Sequence, residues 1–373
     1  MMSSMSLPFH ILFAGGGTIG HLTPGLAVAE WLTRLAPGVR VGFVGTGKPR
    51  ERELVEEVGH EYCRLPSSPS SSQWRKLASC LWSNLCGLAG ATRLQLRERV
   101  DLVVGLGGHA SLPAAQAAVW LGIPLVLLEQ NAVPGRVTRW LAPRAQAVCV
   151  AFEVTCTGLP KSCRALVTGN PVRHEFITAC RISRQPQLAV LGGSSGAMAL
   201  NRALPAALAR FPDLLQGWRI VHQTGPDELD DVRSDYRDRG LVADVRPFIR
   251  HMPNLLADSD LVVSRAGGTT LAELAAAGVP GILIPYPHAA DNHQHGNARQ
   301  AERAGGCAVV DQLSQDFPQR LADTLRPLLT DPARRGQMAQ AMQRLARPCA
   351  AEQVAQAILE IRTSHATPPA RAA

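Results

Sequence analysis

Residues 13–32 read FAGGGTIGHLTPGLAVAEWL, and the fold turns on how this stretch is read. A short apolar run (Ile11, Leu12, Phe13) passes through three consecutive glycines and reaches a histidine, His21, where a helix begins. Glycine costs backbone entropy, so a cluster needs a cause such as positive φ or the close approach of backbone to a ligand. A strand that feeds a helix presents unpaired N–H groups and a partial positive charge at that helix's start, which is where phosphates bind. Gly15-x-Gly17-x-x-Gly20 also fits the dinucleotide fingerprint GxGxxG. The plain alternative is a tight strand-to-helix turn that holds no ligand.

Outward from this stretch, apolar strand-type runs alternate with helix-length amphipathic segments. Strands are predicted at 10–14, 39–44, 62–65, 102–105, 125–129 and 147–150, then at 188–192, 219–223, 242–245, 261–264, 281–284 and 307–310. Strand-then-helix alternation predicts an α/β chain with parallel, doubly wound, Rossmann-like sheets. Each series opens with the same device, the second as LGGSSGAMALN (191–201). Two similar halves are expected, at 7–172 and 173–349, joined near GNPVRHEF (169–176), where Asn-Pro disfavours a continuing helix. Ligands of such sheets lie beyond the carboxyl ends of the strands. With two domains facing each other, the cleft between them is the expected active site.

Composition narrows the class. A chain of 373 residues is long for one core. Hydrophobic residues make up 46% and charged ones only 18%, as sheets buried on both faces require. The net charge of +8 favours anionic partners: nucleic acid, phosphorylated metabolites or an anionic membrane surface. Nine cysteines without a CxxC pair read as reduced and structural, in a cytosolic setting. The start, MMSSMSLPFH, lacks the pattern of a signal peptide, and no apolar run reaches the ~18–20 residues of a spanning helix. The small, polar, Pro-containing end, residues 364–373, is expected to be disordered.

A dinucleotide-binding half carries an acidic residue about 20 residues after the fingerprint, bonded to a ribose hydroxyl. No Asp or Glu occurs from Trp31 to Arg50, which weighs against a nicotinamide-dependent oxidoreductase. A stronger site lies in SRAGGTTLAELAAAGVP (264–280). Gly267 and Gly268 lead into a helix whose first turn aims N–H groups at a diphosphate. Glu273 can accept two hydrogen bonds from vicinal ribose hydroxyls. The same residues allow a ligand-free reading, since Thr270-x-x-Glu273 is a capping box. IPYPHAADNHQHGNA (284–298) offers amides and carboxylates for sugar hydroxyls; its His288, Asp291, His293 and His295 do not have a zinc spacing. Asp258-Ser259-Asp260 looks like a DxD metal motif but precedes a strand, which suits a turn.

Several blocks in one order carry a resemblance: GGTIGHLTPGLAVAE, DLVVGLGGHAS, GIPLVLLEQNAVPG, VTGNPVR, VLGGSSGAMALN, FIRHM and SRAGGTTLAELAAAGVPGILIPYPHAADNHQHGNA. Through them nearly the whole chain resembles the MurG family, inverting transferases that move GlcNAc from UDP-GlcNAc to lipid I and so make lipid II of peptidoglycan. The resemblance implies a GT-B fold, two Rossmann-like domains with a last helix (350–363) returning to the first. It places the donor in the second domain. Ser194 and the Gly268, Thr269, Thr270, Leu271, Ala272 and Glu273 turn would hold diphosphate and ribose. Ile249 would meet the uracil, Arg173 would approach from the junction, and Gln294 and Asn131 would reach the sugar. Thr18, Ile19, Gly20 and His21 would face the acceptor, the glycines cradling its pyrophosphate. The chain departs from the family at Ile19 (usually Gly), His109 (Tyr), Leu128 (His) and Ser195 (Gln).

For the inverting displacement, the resemblance leaves two bases open, His21 and Glu129. An unperturbed imidazole, with a pKa of about 6.5, is mostly neutral at cytosolic pH. No metal or other cofactor is implied as a requirement, with stimulation by a divalent cation left open. Expected partners are UDP-GlcNAc, lipid I, the anionic cytoplasmic face of the bacterial inner membrane and other cell-wall enzymes, and no nucleic acid. Trp74, Leu77, Leu81, Trp82 and Leu85 recur at helical spacing between basic ends, which suits either an interfacial helix or core packing. Competing readings are another GT-B transferase with a lipid acceptor, the oxidoreductase above, and a non-catalytic binder of nucleotide sugars.

Overall fold

Runs such as HILFA and LVLLE have no polar side to turn to water, so they suit sheets covered on both faces. The computed structural model describes residues 9–68, 74–193 and 196–366. Both runs lie in an all-parallel sheet of β1 (His10–Ala14), β2 (Arg40–Gly45), β3 (Glu61–Arg64), β4 (Leu102–Gly105), β5 (Leu125–Glu129), β6 (Ala147–Val150) and β7 (Ala165–Val167), ordered β3-β2-β1-β4-β5-β6-β7. A second parallel sheet holds β8 (Gln187–Leu191), β9 (Arg219–Gln223), β10 (Asp244–Arg246), β11 (Leu261–Ser264), β12 (Gly281–Leu283) and β13 (Cys307–Val309), ordered β10-β9-β8-β11-β12-β13. In each, chain order reverses beside the first strand, at β1/β4 and at β8/β11. Those reversals are the points where open α/β sheets take ligands.

The first sheet is flanked by α1 (Ile19–Leu35), α2 (Pro49–Glu56), α3 (Trp74–Arg97), α4 (Gly108–Leu121) and α5 (Arg136–Leu141). With the second run α6 (Glu175–Thr178), α7 (Met198–Leu208), α8 (Leu229–Asp238), α9 (Met252–Asp258), α10 (Gly268–Ala277), α11 (His293–Arg303), α12 (Phe317–Thr330) and α13 (Pro332–Leu345). The last helix, α14 (Ala350–Ala366), belongs to the first core: Val354, Ala355, Ile358 and Ile361 are buried with Leu22, Val28 and Leu32 of α1. On the opposite face, Ala91 of α3 and Ala114 and Ala118 of α4 pack on Val103, Leu125 and Leu127. In the second unit, Leu200 and Leu204 of α7 meet Leu321 and Leu325 of α12 over Val190 and Val263.

The chain divides into two units. One takes the chain up to Gln130, Pro134–Pro171 and the chain from Cys349 on; the other takes Asn131–Val133 and Val172–Pro348. Four expectations shift. The strand Ala165–Val167 is absent from the sequence reading because three residues on a sheet edge, with Val167 exposed, show no alternation. The strand expected at 242–245 starts at Asp244, leaving Val242 in solvent and seating Asp244 between Arg219 and Arg246. Asn131, expected to belong with the first half, is part of the second unit. Residues 364–366, assigned to a disordered tail, continue α14, where Thr363 and Ser364 hydroxyls donate to the Leu359 and Glu360 carbonyls and His365 bonds the Ile361 carbonyl. The rest of that tail, 367–373, lies outside the described residues, as do Ser194, Ser195 and the side chains of Trp74, Leu77 and Leu81.

Candidate active site

In the second unit, the chain leaves β11 through Arg265, Ala266 and Gly267 and enters α10 at Gly268. The N-cap is Gly267, and no side chain caps the helix. Thr270 is therefore the third helical residue rather than the cap, and Glu273 lies too far along to complete a capping box. The ligand-free explanation of these residues fails on position. A first turn, Gly268–Thr270, whose N-cap supplies no side chain carries the partial positive charge of a helix start, which suits an anion.

Neighbouring side chains hold this turn in place. Gln294 on α11 accepts from the Ala266 amide (3.2 Å) and the Tyr286 amide (2.9 Å) through one oxygen. Asn297, fully buried, donates to the Ala266 carbonyl and to Asn131 Oδ1 (both 3.0 Å) and accepts from the Ala132 amide at 2.8 Å. That triple contact is why Asn131–Val133 pack with the second unit. Sequence reasoning passed over Asn297, although its burial among exposed polar neighbours on α11 marks it as a structural amide. After β8, Gln223 donates to the Gly193 carbonyl at 2.9 Å and steadies the start of the other glycine turn. Ile249 sits buried in the loop between β10 and α9.

Arg173 ends the GNPVR segment. It pairs with Glu175 at 3.3 Å and lies 5.2 Å over the Phe176 ring, while its buried Nε has no hydrogen-bond partner among the described residues. Its charge also reaches Glu273. Burial pushes the Glu273 carboxyl up to about 7, and Arg173 pulls in the opposite direction. A helix start, a guanidinium and a carboxylate of this kind suit a nucleoside diphosphate: two cationic elements for phosphate and one acceptor for a diol.

The Asp258-Ser259-Asp260 segment does other work. Asp258 accepts from the amides of Ile182 (2.7 Å) and Ser183 (3.0 Å), and Asp260 pairs with Arg181 at 2.7 Å and accepts from the Gln187 amide. Both carboxylates fasten the segment that enters β8. His293 bonds the Ala290 carbonyl and His288 stacks edge-on against Tyr286. Among the described residues no three His, Cys, Asp or Glu side chains converge as a metal site would need.

In the first unit, the turn after β1 places Gly17 at φ +87, Thr18 exposed as N-cap of α1, and Ile19, Gly20 and His21 half-buried. Thr18 does not cap the helix; its hydroxyl lies 2.9 Å from His21 Nδ1. With Nδ1 protonated toward that hydroxyl, Nε2 carries the lone pair of a base. The Gly17 amide, expected to face a phosphate, donates instead to Glu51 Oε1 at 2.7 Å, and Lys48 donates to the Gly17 carbonyl at 2.6 Å. His109 packs over Gly17; burial, aided by the Lys48 charge, pushes its imidazole pKa below the usual value against the pull of Glu51. Glu129, the rival base, is buried at 4% exposure and accepts from the Gly135 amide at 2.9 Å, the position of a loop anchor.

Helix α3 presents two faces. Ala91 and Gln95 are buried, while Trp82 (70% exposed), Leu85 and Leu96 face outward. Trp120 of α4, which the sequence reading left out, is 67% exposed and joins Leu85, Leu88, Leu96, Arg93 and Arg97 around an open groove of about 890 Å³. No helix among the described residues is long and apolar enough to cross a membrane.

Residues 11–150 match the glycosyltransferase family 28 N-terminal domain, and residues 187–357 match the family 28 C-terminal domain. With its two parallel sheets, the molecule is thus a glycosyltransferase of the GT-B type. The UDP-N-acetylglucosamine–N-acetylmuramyl-(pentapeptide) pyrophosphoryl-undecaprenol N-acetylglucosamine transferase of Geobacter metallireducens is 39% identical over 352 residues, 92% of this chain and 96% of that one. The same-named enzyme of Acidithiobacillus ferrooxidans is 40% identical over 359 residues, 94% and 97% of the two chains. The crystal structure of Acinetobacter baumannii MurG aligns with a TM-score of 0.72 at 30% identity, over 95% of this chain and 100% of that one. The chain belongs to the MurG family of N-acetylglucosaminyltransferases.

The electrostatics of the second site give a direct check. Carboxyl carbon NMR should show Glu273 titrating near pH 7, and Arg173→Ala should move that midpoint upward, since it removes the charge that favours the ionised form.

Proposed function

We infer that this chain transfers GlcNAc from UDP-GlcNAc to the C4 hydroxyl of MurNAc in undecaprenyl-pyrophosphoryl-MurNAc-pentapeptide, converting lipid I to lipid II. Likeness to family members along almost the whole chain supports the reaction. The single structural observation that carries the reading is the uncapped start of α10, with Arg173 and Glu273 beside it. There the Gly268–Thr270 amides and Arg173 take the diphosphate, and Glu273 accepts from the ribose hydroxyls. Leu271 and Ala272 continue the same turn, Ile249 offers backbone to the uracil, and Gln294 and Asn131 meet the sugar.

Transfer is a single displacement. As the acceptor oxygen bonds the anomeric carbon, its proton passes to His21 Nε2. The bond from that carbon to the phosphate oxygen breaks with its electron pair leaving on UDP, so the α-linked sugar becomes β-linked. Charge on the departing diphosphate is met by donors already oriented toward it, which costs little reorganisation. His21 suits the base better than Glu129: the imidazole is half-buried and meets the exposed Thr18 hydroxyl, whereas the carboxylate is buried and accepts from the Gly135 amide. Turnover with UDP-GlcNAc and a short-chain lipid I analogue, followed by UDP release, should fall about 10²-fold or more in kcat for His21→Ala. Unchanged kcat would pass the base role to Glu129.

The acceptor is a lipid, and the outward face of α3 with Trp120 is the surface we assign to an anionic bilayer. Exposed Trp and Leu enter the interface while Arg93 and Arg97 pair with headgroups. The fitting location is the cytoplasmic side of the inner membrane. Trp82→Asp should weaken binding to phosphatidylglycerol vesicles at low salt and slow turnover of a long-chain acceptor, with a water-soluble acceptor unaffected. Native vesicle binding in that variant would leave this face without a membrane role.

A further inference from the structure

Glu51, at the start of α2, is 1% exposed and carries a carboxylate with four donors around it. Oε1 accepts from the Gly17 amide (2.7 Å) and the Thr46 hydroxyl (2.8 Å); Oε2 accepts from the Thr46 amide (2.9 Å) and the Tyr62 hydroxyl (2.7 Å). The Tyr62 oxygen in turn accepts from the Gly47 amide at 2.8 Å. Burial raises the Glu51 pKa, but the hydrogen bonds from Tyr62, Thr46 and Gly17 outweigh it and hold the group below the ordinary carboxylate range. The backbone makes room for this group. A Cβ on Gly16 would lie 3.0 Å from both carboxylate oxygens, and one on Gly45 would lie 2.8 Å from Oε2 and 2.6 Å from the Tyr62 oxygen.

A buried anion thus grips the Gly17 amide from one side while Lys48 grips the Gly17 carbonyl. Both peptide planes around Gly17 are fixed, and the next residue is Thr18, whose hydroxyl meets His21. We propose that Glu51 is a positioning residue for transfer: by clamping the Gly17 peptide through its ionised carboxylate, it sets Thr18 and, through Thr18, the His21 imidazole. The proposal rests on the reading of His21 as the base. The Gly17 turn thus spends an amide on an internal anion and becomes a rigid ledge.

The test compares Glu51→Gln with the native chain, using UDP-GlcNAc and a short-chain lipid I analogue. An amide nitrogen in either oxygen's place faces a backbone N–H that cannot accept, Gly17 at one and Thr46 at the other, and the lost charge weakens the bonds that remain, so the clamp loosens. The expected result is a fall in kcat of roughly 10- to 100-fold, the cost of a small misplacement of a reacting group, with the KM for UDP-GlcNAc and calorimetric UDP binding unchanged. The His21 imidazole NMR signals should shift at the same time. Val55→Ala, which loosens the same helix from its apolar side, serves as the stability-matched control and should keep native kcat and native His21 signals. Should Glu51→Gln not fold, the pair Thr46→Val with Tyr62→Phe retains the carboxylate, strips two of its donors, and should give a smaller kcat loss of the same kind. Native kcat and native His21 signals in a folded clamp variant would overturn the proposal, as would an equal loss in Val55→Ala. A His21→Ala chain with native kcat would instead remove the reading on which the proposal stands.

Discussion

A helix start whose N-cap is a glycine is the constraint around which the second unit is organised. Gly267 gives the first turn of α10 no side-chain cap of its own. Set at the carboxyl edge of a parallel sheet, beside the chain reversal at β8/β11, such a terminus has the place and polarity that suit an anion. Gln294, Asn297 and Gln223 then read as braces for the two turns that meet at this edge, since each bonds backbone there. On the proposed function, Arg173 and Glu273 add the charge pattern that suits a nucleoside diphosphate rather than a simple phosphate.

The first unit also leaves a strand, β1, through glycines into a helix, and there the chain meets a glycine amide with a carboxylate of its own. Its glycines allow a carboxylate of the chain itself to reach the Gly17 amide, so the turn is stiffened from within. What projects from it is a side-chain pair, Thr18 and His21. On the proposed reaction, the turn after β11 meets the charge of the leaving group and the turn after β1 carries the base for the nucleophile.

Much of this was legible in the sequence because strands buried on both faces cannot hide their apolar runs, and because glycine clusters mark the exits from β1, β8 and β11. Twelve strands were placed from such runs, and the one missed, Ala165–Val167, is an edge strand too short to carry a pattern. Glu51 was invisible for a different reason. The dinucleotide template looks for an acid at the end of the second strand; here the acid comes a turn later, on α2, and points back into the glycine loop. The capping-box motif misled at Thr270-x-x-Glu273 because local spacing alone does not say which residue starts the helix. Trp120 escaped because it lies on α4, and only the packing of α4 against α3 brings it to the groove beside Leu85 and Leu96.

The N-cap of α10 allows a test in which stability and binding move in opposite directions. Gly267 has φ −67 and ψ 143, conformations any residue adopts, and a Cβ there would meet only the Thr270 hydroxyl, at 3.6 Å. Gly267→Asp would supply the missing cap and a negative charge at the position reserved for diphosphate. Calorimetric titration with UDP, beside thermal unfolding of the same sample, should find the variant at least as stable as the native chain and unable to bind UDP. Native UDP affinity in that variant would contradict the account.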